Sequence, residues 1–140
     1  MATGARGAPR EPARGALSFE HVLAAARAAA AKSHDETVIL DVGPLIGITD
    51  YFVVASGRND RQVRAIVDEV SRRVRQAGGA ERRTEGLREA RWVLLDYGDF
   101  VVHVFDRHER EYYGLERLWS DARRVPFDGV VAEPAGAAST

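Results

Sequence analysis

The segment Trp92-Val93-Leu94-Leu95-Asp96-Tyr97, then Gly98-Asp99, then Phe100-Val101-Val102-His103-Val104-Phe105 constrains the fold more than any other feature. Two runs rich in β-branched and aromatic residues around a two-residue turn containing glycine predict a β-hairpin. A hairpin needs a sheet to join, and two further runs supply one. Thr37 to Val42 is short, β-branched and nearly all apolar, which suits a strand covered on both faces. Asp50 to Ser56 reads the same way, and Gly43, Pro44 and Gly47 break the chain between them. Glu81 to Glu85 is a candidate fifth strand at an edge.

Three helices accompany these strands. The first is expected to start at Ser18 as N-cap, with Leu17 and Val22 as a hydrophobic staple and an apolar stripe of Phe19, Val22, Leu23, Ala26 and Ala30. The second has Asn59 as N-cap and Gln62 three residues on, a capping-box arrangement. Its stripe is Val63, Ile66, Val67, Val70 and Val74, and Gly78-Gly79 provides the stop. The last is expected to begin after Asp106, with Glu109 closing a second capping box, and to run through Leu118 and Trp119 despite the weakening effect of Gly114. Together these elements describe a single α/β domain, a mixed β-sheet flanked by helices. It is expected over residues 17–127, with residues 1–16 and 128–140 as disordered tails rich in Ala, Gly and Pro.

Composition narrows the setting. The 140 residues suit one core, and the apolar fraction of 45% with 29% charged residues is ordinary for a soluble globular chain. There is no cysteine, so disulfides and thiolate metal ligation are unavailable, and a reducing cytoplasm is the simplest home. No apolar run approaches a membrane span, and Met1 to Ala16 lacks the apolar stretch of a signal peptide. Net charge is only −1, which argues against a surface built wholly to grip phosphates, so little direct RNA contact is expected. The charge is unevenly spread. Gly57 to Thr84 holds eight arginines and four acids, whereas Glu85 to Ala122 holds five arginines and nine acids. The acidic third is either a solvated face or a surface suited to a basic partner, such as a ribosomal protein.

Catalytic chemistry finds little support. Ser56-Gly57-Arg58-Asn59 at a strand-to-helix junction is able to cradle a phosphate on backbone amides, but it lacks both the P-loop lysine motif and the G-x-G-x-x-G fingerprint. Gly57 and Asn59 are equally what a tight turn and an N-cap require. The junction is similar to that of nucleotidyltransferases, whose chemistry needs two carboxylates one residue apart on a following strand. The acids here, Asp68-Glu69 and Asp96 with Asp99, do not give that spacing. His21, His34, His103 and His108 form no H-x-x-x-H pair, and no G-x-S-x-G elbow marks a serine nucleophile. No metal, cofactor or catalytic residue is therefore assigned, and a binding protein rather than an enzyme is expected, with a nucleotide-binding or nucleotidyltransferase-like enzyme as the alternative.

Arg110 to Trp119 holds three large aromatics and two leucines on about three helical turns. With Tyr112, Leu115, Leu118 and Trp119 as the inward stripe, Tyr113 points elsewhere. Trp92 opens a strand, where full burial is uncommon. Both rings are either anchors of a protein-binding surface or half-buried cover over the sheet edge.

Asp50 to Gly57, Arg61 to Ile66, Glu85-Gly86, Trp92 to Phe105 and Arg110 to Trp119 together resemble the Iojap-like ribosomal silencing factors, over about Phe19 to Trp119. The resemblance implies a nucleotidyltransferase-like fold without the catalytic motif. It implies binding to the large ribosomal subunit through ribosomal protein uL14, steric blocking of small-subunit joining, and repression of translation when nutrients are short. A role in large-subunit assembly is a neighbouring implication, and pairing into a homodimer is left open. Carried over residue by residue, the partner surface falls on Trp92 and Tyr113, with Leu115, Glu116 and Trp119 around them and the turn from Tyr97 to Asp99 as a further candidate.

Overall fold

The computed structural model describes residues 12–127. Of the expected tails at 1–16 and 128–140, residues 1–11 and 128–140 lie outside the described residues, whereas residues 12–16 are helical and not a disordered tail. In chain order the elements are α1 (Pro12–Lys32), β1 (Val38–Asp41), α2 (Gly43–Ile46), β2 (Tyr51–Gly57), α3 (Asp60–Gln76), β3 (Arg83–Glu85), β4 (Trp92–Asp96), β5 (Phe100–Asp106), α4 (Arg107–Tyr113), α5 (Leu115–Leu118) and β6 (Arg123–Arg124). The strands form one mixed sheet in the order β3-β4-β5-β2-β1-β6. Only β2 and β5, at its centre, run parallel. The hairpin forms as expected: Trp92 lies opposite Phe105 and Asp96 opposite Val101. Its turn is closed by Tyr97 N–H to the Phe100 carbonyl at 2.9 Å, with Gly98 at φ +88°.

Strand alternation sorts the core into two layers. One sheet face presents Ile39, Val53, Ala55, Val93, Leu95, Val102 and Val104 to α1 and α3. The other presents Val38, Leu40, Phe52, Val54 and Phe105, with Leu115, Trp92 and Trp119 packed over them. All five stripe residues of α3 are buried. Valine and isoleucine are poor helix formers, so α3 is held by burial worth about 1.5–3 kcal/mol per side chain rather than by propensity. On α1 the deepest positions are Val22, Ala25, Ala26, Ala28 and Ala29, while Phe19 and Leu23 are only partly buried. The buried arc is wider than the single expected stripe because α1 packs on α3 as well as on the sheet. The two helices run antiparallel. A His21 ring nitrogen meets the Ala77 carbonyl at 3.0 Å at one end, and the Gln62 amide donates to the Lys32 carbonyl at 3.1 Å at the other.

Three helix boundaries differ from expectation. Helix α1 begins at Pro12, so Ser18 lies inside it and not at its N-cap position. Proline suits a first turn, and Ala13, Arg14, Ala16 and Leu17 all favour helix. At α3, Asn59 Oδ1 accepts from Gln62 N–H at 2.9 Å as expected, but Gln62 Oε1 accepts from Arg58 N–H at 2.8 Å, one residue earlier than a capping box requires. The last helix is two helices. Asp106 caps α4 by accepting from His108 N–H at 3.0 Å, and Gly114 then turns left-handed at φ +58° and separates α4 from α5. Glu109 closes no box, because Asp106 N–H is already paired with the Arg91 carbonyl at 2.8 Å.

Candidate partner-binding site

Among the described residues, the face opposite α1 and α3 is covered by the short helices α4 and α5, with Ile46 of α2 and Ala122 beside them, and aromatic rings line it from β4 to β2. Trp92 opens β4 and points to this side by strand alternation, beside its cross-strand neighbour Phe105, whose ring centroid is 4.9 Å away. The Asp106 cap turns the chain back over the sheet, so that Tyr113 at the end of α4 lands 4.8 Å from Trp92. Tyr112 stands edge-on to Tyr113 at 5.2 Å. Inward, His103 meets Phe52 at 4.6 Å, and Phe52 meets Trp119 at 5.9 Å.

The Trp92 indole N–H donates to His103 Nδ1 at 3.1 Å. An indole only donates, so the neutral imidazole must carry its proton on Nε2. That nitrogen is buried with no hydrogen-bond partner among the described residues. Burial pushes the His103 pKa down to about 4, so the ring is neutral at physiological pH.

Exposure sorts the residues expected at this site. Tyr113 is 45% exposed, Trp92 and Trp119 are half-buried, and Leu115 is buried. Tyr112, expected on the inward stripe, is instead 81% exposed. The break at Gly114 ends the helical register on which that stripe was drawn. The Leu118 side chain lies outside the described residues. Glu116 accepts from Arg110 at 3.1 and 3.0 Å, with Arg124 at 3.8 Å, so its charge is largely answered within the fold.

Tyr97 and Asp99 are not brought to the same place. They lie at the turn end of the hairpin, five residues or about 17 Å along the strand from Trp92. Tyr97 packs into the α1/α3 layer and stacks on Phe100 at 4.7 Å. Burial, reinforced by the Glu81 carboxylate, raises its phenol above the ordinary range. The Asp99 carbonyl accepts from Asp50 N–H at 2.8 Å, which ties the turn to the start of β2.

The junction after β2, the most enzyme-like feature of the sequence, serves the fold. Ser56 is 1% exposed. Its hydroxyl donates to Asp35 at 2.8 Å and accepts from Arg110 at 2.9 Å, so neither its proton nor its lone pairs face open space. Arg107 holds Asp35 through two contacts, at 2.8 and 3.1 Å. Burial raises the Asp35 pKa, but hydrogen bonds from Arg107 and Ser56 and the charges of Arg107 and Arg110 outweigh it and hold the carboxyl below its usual range. A phosphate would need free amides at the start of α3, and those of Arg58 and Gln62 are taken by side chains. A Cβ on Gly57 would lie 2.9 Å from Val63 N, so glycine is required there by close backbone approach. Among the described residues, no group of three His, Asp or Glu side chains is placed to hold a metal ion, and no helix is long and apolar enough to cross a membrane.

Sequence reasoning missed the part played by Asp35, Arg107 and Arg110. The signal was thin: two arginines one helical turn apart, following a strand that pairs with the one ending in a buried serine.

The chain and its fold are similar to those of known proteins. The family model described as "Ribosomal silencing factor during starvation" matches residues 16–140. The ribosomal silencing factor of Halalkalibacterium halodurans is 42% identical over 101 residues, 72% of this chain and 86% of the relative. A crystal structure of a Chromobacterium violaceum protein superposes with a TM-score of 0.70 at 32% identity, covering 83% of this chain and 96% of the other. A more distant relative is the mouse protein named "Mitochondrial assembly of ribosomal large subunit protein 1", 31% identical over 85 residues, 59% of this chain and 37% of the relative. A family model that matches residues 16–140, joined to a fold shared with a 32% identical crystal structure, leaves one assignment: this chain belongs to the ribosomal silencing factor family.

Proposed function

We propose that this chain binds the large ribosomal subunit through ribosomal protein uL14, using the face around Trp92, Tyr113 and Trp119, and so keeps the small subunit from joining. Translation is thereby lowered when nutrients are short, in keeping with the starvation role in the family description. The observation that carries the reading is the exposed Tyr113 ring packed at a tilt against the half-buried Trp92. An aromatic pair held rigid at its base and open at its rim is the usual composition of a protein-binding hot spot. Exposed Glu111 and Tyr112 beside it extend the surface and add negative charge suited to a basic partner. Leu115 and Glu116 support this face from within, and Tyr97 and Asp99 are not needed for it. Catalysis is not part of the proposal, since Ser56 is fully engaged in holding α4. A homodimer is not required.

A second reading, participation in large-subunit assembly, is favoured by the printed name of the mouse mitochondrial relative. Both readings place the chain on the same subunit. The test is sedimentation of purified protein with separated subunits in a sucrose gradient. Co-sedimentation with large subunits alone is expected, and with subunits lacking uL14 it should fail. Binding to both subunits, or to neither, overturns the proposal.

A further inference from the structure

The side chain that ties the aromatic face to the rest of the fold is Arg110, which contributes no ring and has no place on the expected partner surface. Its guanidinium side chain is 13% exposed. It makes the paired contact to Glu116, and its Nη1 donates to Ser56 Oγ at 2.9 Å and to the Glu36 carbonyl at 2.7 Å. One planar group therefore joins α4, α5, the end of β2 and the loop before β1.

The contact to Glu116 crosses the left-handed elbow at Gly114. Helices of seven and four residues are too short to hold their own geometry, and glycine imposes no preferred angle between them. Tyr113 is the residue immediately before that elbow. The Asp106 cap brings α4 over the sheet, and the angle held at Gly114 governs how firmly its last residue, Tyr113, is kept over Trp92. We infer that Arg110 is a positioning residue for the docking face: by clamping Glu116 across the Gly114 elbow, it pre-organises Tyr113 against Trp92. The inference rests on the proposed docking role of those two rings. The fork geometry matters, because lysine offers one point charge and cannot hold both Glu116 oxygens together with Ser56 and Glu36. Arg107 bound to Asp35 is a separate tie, so α4 stays attached when Arg110 is altered.

The test is a double-mutant cycle on the full chain, with affinity for purified large subunits as the readout. Arg110→Lys should bind about tenfold more weakly in the otherwise native chain, because a loosened ring must be ordered on binding. In a Tyr113→Ala background the same change should cost less than about twofold, since the ring it positions is gone. Nuclear Overhauser contacts between the Trp92 and Tyr113 rings should weaken in Arg110→Lys. A purely structural role would lower the affinity equally in both backgrounds, and that result, or no loss at all, overturns the inference. If Arg110→Lys does not fold, Glu116→Gln enters the same cycle with the same expected outcomes. If Trp92→Ala and Tyr113→Ala both bind normally, the docking role itself has failed. The ring contacts then decide the positioning claim: unchanged contacts in Arg110→Lys sink it, and lost contacts uphold it.

Discussion

Trp92 and Tyr113 touch each other but stand in different physical positions. Tyr113 is 45% exposed, so Tyr113→Ala should leave the unfolding midpoint nearly unchanged while weakening large-subunit binding by about 2 kcal/mol or more, roughly thirtyfold. Trp92 is half-buried on Phe105 and donates to His103. Trp92→Ala should therefore lose binding and stability together, the second approaching the about 3–5 kcal/mol typical of a buried aromatic. Denaturant melts beside affinity measurements separate the two. If Tyr113→Ala melts as early as Trp92→Ala yet binds normally, the ring is sheet cover and the site is misplaced. His103 makes the face sensitive to acid. Its pKa falls from the ordinary 6.5 to about 4, so below about pH 6.5 the unfolded chain takes up a proton that the folded chain refuses. Stability should thus be full above that pH and decline progressively down to about pH 4, by on the order of 3 kcal/mol. Asp35 acts lower, because a carboxyl held below 3.8 loses its contribution only as pH falls through its folded value. Thermal melts between pH 4 and 7.5 check this, and His103→Gln should flatten the profile across that window. An unchanged slope in the variant would mean that other groups carry the acid response.

Elements built on local signals were legible in the sequence, and those built on tertiary partners were not. The hairpin from Trp92 to Phe105 and the α3 stripe from Val63 to Val74 could be read because strand alternation, turn chemistry and helical periodicity all act within a few residues. The elbow at Gly114 was read only as a weak point in one helix. Its left-handed turn is spanned by the contact of Arg110 with Glu116, which bear no periodic relation to the strands they help to hold. The cap at Asp106 was found but its box was not, since Arg91, fifteen residues earlier, had already taken the backbone donor. Of the expected partner surface, all carried over through family resemblance, Trp92 and Tyr113 meet, whereas Tyr97 packs on the other face of the sheet. Glycines show the same divide. Gly57 has no left-handed angle, but an added Cβ would press on the backbone at Val63 and Gln62. Gly57→Ala should therefore shift α3 against β2 and lower the melting temperature by several degrees, a loss of about 1–3 kcal/mol. Gly47 sits at φ +76° with open space around it, so Gly47→Ala should cost only about 1–2 kcal/mol of backbone strain. An unchanged melting temperature in Gly57→Ala would mean that close packing at Gly57 is not what selects glycine there.

At the scale of the whole molecule, a six-stranded sheet is braced on one face by two long antiparallel helices, and its other face carries the short aromatic layer. Two buried layers and a network of ion pairs hold the described residues together. Under the proposed function, a domain so held would act on subunit joining by mass action alone: it would occupy large subunits that are free and shift the equilibrium by its own binding energy. Order of addition should expose this. Protein added to separated subunits should prevent formation of complete ribosomes, at concentrations that track its affinity for the large subunit. Protein added to preformed ribosomes finds the joining surface already filled, so it can capture only subunits that part spontaneously. The rate of splitting, followed by light scattering, should then equal the spontaneous dissociation rate and stay constant as more protein is added. A splitting rate that climbs in proportion to protein concentration would require this chain to attack the intact ribosome, and passive occlusion would have to be abandoned.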